Sequence, residues 1–302
     1  MEGNSIVEAI KGVRKLAGEI LSKKLNLCGV CERIIAYGIL LMLSLITILP
    51  FFLMILIAFD GHSEWGWVPT SPPRIVPSPV TLRHFIYVFK AFNFGRYFFN
   101  SLVMTMGVTI SHLVLGSIGG YAFGKLRFPG REIIFAILLG TLMVPPESIV
   151  VPRYLIVQKI GWLNSFYGLI VPNMITAFSI FMFRQFVQTI SRSLEEAAII
   201  DGCSWFGVYR KIILPLLKPA LVSVTIITFV QGWNNFLWPL LVAQSEKMYT
   251  LQIGLSAFKS QSAAEWSPLM AGTAITIIPT MIIFIALQKY YVSGLTMGGV
   301  KG

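Results

Sequence analysis

Apolar positions in this chain gather into long blocks instead of alternating with polar ones. Six blocks, roughly 34–59, 97–124, 133–151, 165–185, 219–243 and 267–288, carry few charges. Each runs to about 20 residues or more, the length that spans ~30 Å of hydrocarbon at 1.5 Å per residue. A bilayer offers no water to unpaired backbone groups, so blocks of this length must be helices. The pattern predicts an all-α integral membrane protein with six transmembrane helices. An even number of spans puts both termini on one side.

Charge then orients the bundle. The chain is 55% hydrophobic and 12% charged, with a net charge of +11. Lys11, Arg14, Lys15, Lys23, Lys24 and Arg33 precede the first block, and Lys125, Arg127 and Arg131 separate the second from the third. Arg184, Arg192, Arg210, Lys211 and Lys218 flank the long interval after the fourth, and Lys289 and Lys301 lie in the tail. The opposite intervals hold Arg74, Arg83, Lys90, Arg96, Arg153, Lys159, Lys247 and Lys259, a division of 16 to 8. By the positive-inside rule the first set, and both termini, face the cytoplasm. The net charge therefore reports topology; basic residues spread over membrane flanks do not make a nucleic-acid surface. The first block lacks a small-residue cleavage site and reads as a retained anchor. Before it, Ile6, Val7, Ile10, Val13, Ala17, Ile20 and Leu21 recur at helical spacing, so residues 1–33 are either a helix on the inner membrane surface or a solvated tail.

Two motifs suggest chemistry the rest of the chain does not support. "GGYAFGKL" (119–126) approaches a phosphate-binding loop, but Leu126 stands where a Ser or Thr would hold magnesium, and no strand precedes it. Its small residues Gly116, Gly119 and Gly120 suit close helix contact, with Lys125 and Arg127 snorkelling at the inner interface. "CGVC" (28–31) has redox or metal spacing, yet Cys203 is the only other cysteine and His62, His84 and His112 lie outside or within the membrane. No metal site is expected, and reduced cytoplasmic thiols are the default for Cys28 and Cys31. Ionisable groups at membrane depth are nearly absent: His112, a satisfied interhelical bonder or a polar-path residue, and Glu147 near the outer end of the third span. No hydrolytic constellation occurs, so the chain is not expected to be an enzyme or to have its own energy source.

The interval "EEAAIIDGCSWFGVYRKIILP" (195–215) is polar, acid-led and cytoplasmic. Ser193 followed by Glu196 is a capping box that predicts a helix from Leu194 to Ile200. Gly202 would stop it in a left-handed conformation. Ser204 is placed to cap a second helix bearing Trp205, Phe206, Val208, Tyr209, Ile212 and Ile213, ended by Pro215 and Pro219. So many apolar groups away from the bilayer either pack on the chain's own bundle or await a protein partner.

Glu196-Ala197-Ala198, Gly202 and Ile212-x-Leu214-Pro215 fall in register with the EAA loop of ATP-binding-cassette importer permeases, which this chain resembles from about residue 33 onward. "YAFGKLRFPGR" (121–131), "FMFRQF" (181–186), "WNNFLWPLLV" (233–242) and "GLTMGGVKG" (294–302) are similar to the second permease subunit of the carbohydrate-type, maltose and multiple-sugar group. The resemblance implies a six-helix permease domain over 34–302 with a coupling loop at 193–215 and a cytoplasmic tail at 289–302. Glu196, Ala197, Ala198, Asp201, Gly202, Ile212, Leu214 and Pro215 would be its coupling residues, docking on a cytoplasmic ATPase dimer. It further implies a second homologous permease, an extracytoplasmic solute-binding protein and the prokaryotic cytoplasmic membrane. No cofactor is expected on this chain; ATP and magnesium would sit on the partner ATPase. A sugar or oligosaccharide is the implied solute. The alternatives are a glycerol phosphate or polyol derivative, for which Arg96 and Arg153 would be tested, and a self-contained channel or facilitator.

Trp233, Asn234 and Asn235 fall about two thirds of the way along the fifth span at ~1.5 Å per residue. They suggest a hydrogen-bonding wall for a solute or a packing surface between two permeases. Trp238 is a path candidate or an outer interface anchor, and Glu147 is the remaining path candidate. The first outer loop, 60–96, with Trp65, Trp67, Pro69, Pro72, Pro73, Pro77 and Pro79, is a docking surface or a lid on its own bundle.

Overall fold

Three of the six apolar blocks form continuous helices, the last of them running through Pro279. The computed structural model describes residues 33–61, 79–91, 93–261 and 266–299. The amphipathic segment before residue 33, Cys28 and Cys31, most of the first outer loop including Trp65 and Trp67, and the last three residues lie outside the described residues. Among those described, three helices are long and apolar enough to cross a membrane: α1 (Arg33–Phe59), α3 (Phe94–Lys125) and α14, of which Trp266–Gln288 is the apolar part and which runs on to Gly299. Its continuation makes the first part of the expected tail helical. No strand forms among the described residues; one antiparallel bridge, Asp60 to Val80, joins the ends of the outer loop. A helix absent from the sequence reading, α2 (Arg83–Ala91), follows it and packs on α14.

The other expected spans are each broken. The block at 133–151 becomes α4 (Arg131–Gly140) with a tight turn to Met143, then a 94° bend into Pro146–Lys159, whose last part is α5 (Val150–Lys159). Pro145 and Pro146 favour it: a proline disfavours the helical region for the residue before it, and Val144 is extended at φ −87°, ψ 116°. The block at 165–185 becomes α6 (Phe166–Ile170), a turn through Asn173, and α7 (Ala177–Thr189), with a 44° bend between the two arms. Thr176 restarts it as an extended N-cap whose hydroxyl accepts from Ser179 N. The expected continuous span 219–243 ends early. Helix α11 (Lys218–Trp233) stops at Asn234, and a short α12 (Leu237–Val242) follows before α13 (Leu251–Gln261).

Within the unit that begins at Ile57, helix α3 packs against α7, α11 and α13. One face carries Gly116, Gly120 and Gly124, where a β-carbon would press on Ser179, Phe183 and Val187 of α7. Omission of those side chains brings the two backbones together, as the small-residue spacing predicted. At one end of α3 a cluster of Tyr121, Phe183, Val187, Val208, Tyr209, Ile213 and Leu217 is buried. Two further clusters, around Leu169, Trp238 and Val242 and around Tyr97, Phe229 and Trp233, fill the other end.

Candidate functional site

Between α7 and α11 the chain leaves the long helices for a compact helical hairpin. Its first arm, α8 (Arg192–Ile200), starts two residues before the expected Leu194. The capping residue is Ser191, extended at φ −62°, ψ 138°, whose hydroxyl accepts from Ser193 N at 3.3 Å. Ser193 is thus inside the first turn, and the expected capping box with Glu196 does not form. On this helix Glu195 and Ala198, three apart, face inward, and Glu196, Ala197 and Asp201 are exposed.

Gly202 then takes φ 85°, the left-handed conformation that lets the helix end there. The second arm begins with α9 (Trp205–Val208), capped by Ser204, which accepts from Gly207 N at 3.2 Å. A wider helical turn over Tyr209–Ile213 carries it into α10 (Leu214–Leu216). Pro215 was expected to end this arm; instead it sits inside it, directly after the wider turn over Tyr209–Ile213. The chain turns by 75° at Leu217, and Pro219 opens α11. Ile213, fully buried beside the half-buried Ile212 and Leu214, pins that corner.

The hairpin presents an apolar outer face. Ile200 is 85% exposed and Phe206 65%, beside exposed Leu194, Ile199 and Trp205. Its inner face is bound to the bundle. Lys125, at the last turn of α3, was expected to snorkel to the membrane interface; instead it is buried, with Nζ 2.6 Å from Glu195 Oε1 and donating to Ile190 O at 2.6 Å. Removal of either partner of such a pair strands a buried charge at about 3–5 kcal/mol. Nearby, Arg184 donates to both Glu132 oxygens (3.2 and 3.0 Å) and lies over the Phe135 ring, tying α7 to α4.

The expected path residues separate. Trp233 is 1% exposed, donates Nε1–H to Thr276 O at 2.8 Å and stacks on Phe229, so here it belongs to the core. Trp238 is neither an interface anchor nor an open wall: buried, it donates to Gly168 O at 3.1 Å with the Arg153 guanidinium 4.0 Å above its ring. Arg153 also donates to Asn173 Oδ1. Asn173, at the break between α6 and α7, accepts His112 Nε2–H on its carbonyl at 2.8 Å. His112 is therefore the interhelical bonder of its two readings, satisfying a carbonyl that the break frees. Asn234 is exposed and Asn235 half-buried, at the end of α11. Glu147 is exposed on the turn after Pro146.

The family model described as "Binding-protein-dependent transport system inner membrane component" matches residues 32–296. AraQ of Bacillus subtilis (strain 168), an arabinooligosaccharides transport system permease protein, is 36% identical over 263 residues, 87% of this chain and 93% of the relative. UgpE of Yersinia enterocolitica serotype O:8 / biotype 1B, an sn-glycerol-3-phosphate transport system permease protein, is 31% identical over 273 residues, 88% and 94% of the two chains. Among solved structures, a chain of a bacterial ABC transporter involved in the import of the acidic polysaccharide alginate superposes with a TM-score of 0.74 at 23% identity, over 85% of this chain and 95% of that one, which shows the shared fold.

Proposed function

Because the chain belongs to the family of binding-protein-dependent transport system inner membrane components, we propose that it is the permease subunit of an ATP-binding-cassette importer that moves a sugar or oligosaccharide by alternating access. It is a multi-pass inner-membrane protein, a permease component and not an enzyme. The observation that carries the coupling assignment is the hairpin of α8 and α9: an apolar outer face, outside the long helices, bolted to α3 by a buried ion pair. A cytoplasmic ATPase is the partner such a face suits. Glu196 and Asp201 are its exposed acids, and Gly202 its turn.

Three continuous helices, the bent pairs at 131–159 and 166–189, and the fifth segment beginning at α11 support six crossings, and the distribution of Lys and Arg supports cytoplasmic termini. In this reading a second permease covers the lateral face, a solute-binding protein docks outside, and ATP and magnesium are bound by the ATPase alone. Asn234 and Glu147, both exposed, are the path residues that remain. The arabinooligosaccharide relative supports a sugar. A phosphorylated solute has support in the UgpE relative, yet its two candidate bases are already engaged: Arg153 with Asn173 and Trp238, and Arg96 with Lys247 O at 2.8 Å.

The test is gentle detergent extraction of the tagged chain from its native host, with mass spectrometry of co-purifying proteins for wild type and Gly202→Asp. An ATPase with a complete phosphate-binding loop and a second permease come down with wild type, and the ATPase is lost from the variant. Recovery of the chain alone, or only with itself, sinks the importer reading in favour of a channel.

A further inference from the structure

Residues 117, 121 and 125 lie four apart and share one face of α3. All three bind the hairpin. Ser117 Oγ is 2.7 Å from Tyr209 Oη, Tyr121 Oη donates to Trp205 O at 3.5 Å with its ring 5.6 Å from that of Tyr209, and Lys125 pairs with Glu195. Ser117, Tyr121, Lys125, Tyr209 and Glu195 are all buried, so water does not compete for these bonds. At the far end of the same helix the pattern repeats against a different segment. Asn100 Nδ2 donates to Lys247 O (3.0 Å) and Tyr249 O (2.9 Å), Arg96 Nε donates to Lys247 O, and Ser101 Oγ accepts from Leu251 N at 2.8 Å.

Between these two ends α3 is one unbroken helix of 32 residues, ~48 Å long at 1.5 Å per residue. Its neighbours α4, α6 and α11 each meet a break or bend. Along the adjacent face Gly116, Gly120 and Gly124 seat Ser179, Phe183 and Val187 of α7, so α7 packs tightly on the rod. The rod is gripped by polar side chains at both ends, and in between α7 is packed on it and bonded to it through the Phe123 carbonyl, as is the turn before α7 through His112.

We propose that α3 is a push-rod: it carries displacement of the 194–208 hairpin to the segment 245–251 on the opposite face, with Lys125–Glu195 as the input grip and Asn100 as the output grip. The proposal rests on the coupling reading above. Lys125, Glu195 and Asn100 are positioning residues, acting through α3 and touching no solute. The continuous junction from the hairpin into α11 is the rival route, and it bends by 75° at Leu217.

Hydrogen exchange of the intact complex, purified from the native host, tests this with and without MgATP plus vanadate, since amide exchange reports local opening segment by segment. In wild type, both 194–208 and 245–251 change their exchange on nucleotide trapping. In Glu195→Gln, 194–208 still responds and the response at 245–251 is lost; the swap Lys125→Glu with Glu195→Lys restores it. Should Glu195→Gln reduce insertion, Asn100→Ala tests the output grip without touching the hairpin and gives the same split. An unchanged response at 245–251 in Glu195→Gln or Asn100→Ala overturns the proposal, as does a charge swap that leaves the complex intact and the response absent. No nucleotide response at 194–208 in wild type overturns the coupling reading itself, and the push-rod with it.

Discussion

Gly120 of α3 and Phe183 of α7 pack backbone against side chain, with no room at residue 120 for a β-carbon. A methyl group there overlaps Phe183 and comes within 2.8 Å of the Arg184 nitrogen, which cannot move without α7. Gly120→Ala is therefore expected to destabilise the protein by about 1–3 kcal/mol, the cost of overpacking. At Gly119 the nearest atom, at 3.2 Å, belongs to the Ile180 side chain, which can shift. Gly119→Ala should be close to neutral. Thermal unfolding in detergent, followed by intrinsic fluorescence, ranks the two; equal melting temperatures would show that α3 and α7 are not in this contact.

The turn at Gly202 makes the opposite case. Nothing lies within 4 Å of a β-carbon built there, while φ is 85°. The cost of Gly202→Ala is purely conformational, about 1–2 kcal/mol for a left-handed residue with a β-carbon. Asn tolerates that region, so Gly202→Asn should recover much of the loss. Proteolysis across the hairpin measures it: cleavage rises in the order Gly, Asn, Ala. A reversed order would mean that the turn relaxes to another conformation on substitution.

These two glycines show what the sequence can and cannot convey. The small residues Gly116, Gly119 and Gly120 in an apolar block, and a glycine after an amphipathic helix, are local signals, and both led to the right geometry, although the cap of that helix is Ser191 and not Ser193. The broken spans escaped because hydropathy sums over a window and is blind to where a proline sits: Val144-Pro145-Pro146 is as apolar as its neighbours but turns the chain by 94°. The Lys125–Glu195 pair escaped for a different reason. Seventy residues of chain separate a base at the end of a span, which on its own reads as an interface anchor, from an acid in a polar loop. Only the fold, which turns the Glu195 face of α8 towards the end of α3 and leaves Glu196 exposed, brings them together.

Trp238 holds two breaks at once, through its bond to Gly168 O and its stack under Arg153. Trp238→Phe keeps a ring for Arg153 and strands a buried carbonyl, at about 1–3 kcal/mol. Uptake selectivity among solutes, measured by competition in cells, should not change, because the ring is enclosed. Altered selectivity with an unchanged melting temperature would instead put Trp238 on the solute path.

Asn234 and Asn235 are neighbours with separable roles. Asn235 Oδ1 accepts from Trp238 N at 3.4 Å, as a capping side chain does for the first turn of α12. Asn235→Ala should cost about 1 kcal/mol, and Asn235→Asp should spare most of it, since a carboxylate accepts the same bond. Asn234 is exposed at the end of α11; its amide reaches back to Val230 O at 3.0 Å and accepts from Gln252 at a long 3.5 Å. Its replacement by Ala should move stability by less than about 0.5 kcal/mol, as exposed substitutions do. If Asn234 faces the solute, that variant raises the solute concentration for half-maximal uptake while Asn235→Asp does not. A matched effect of the two on uptake, tracking their melting temperatures, would remove Asn234 from the path and leave both as supports of the α11 break.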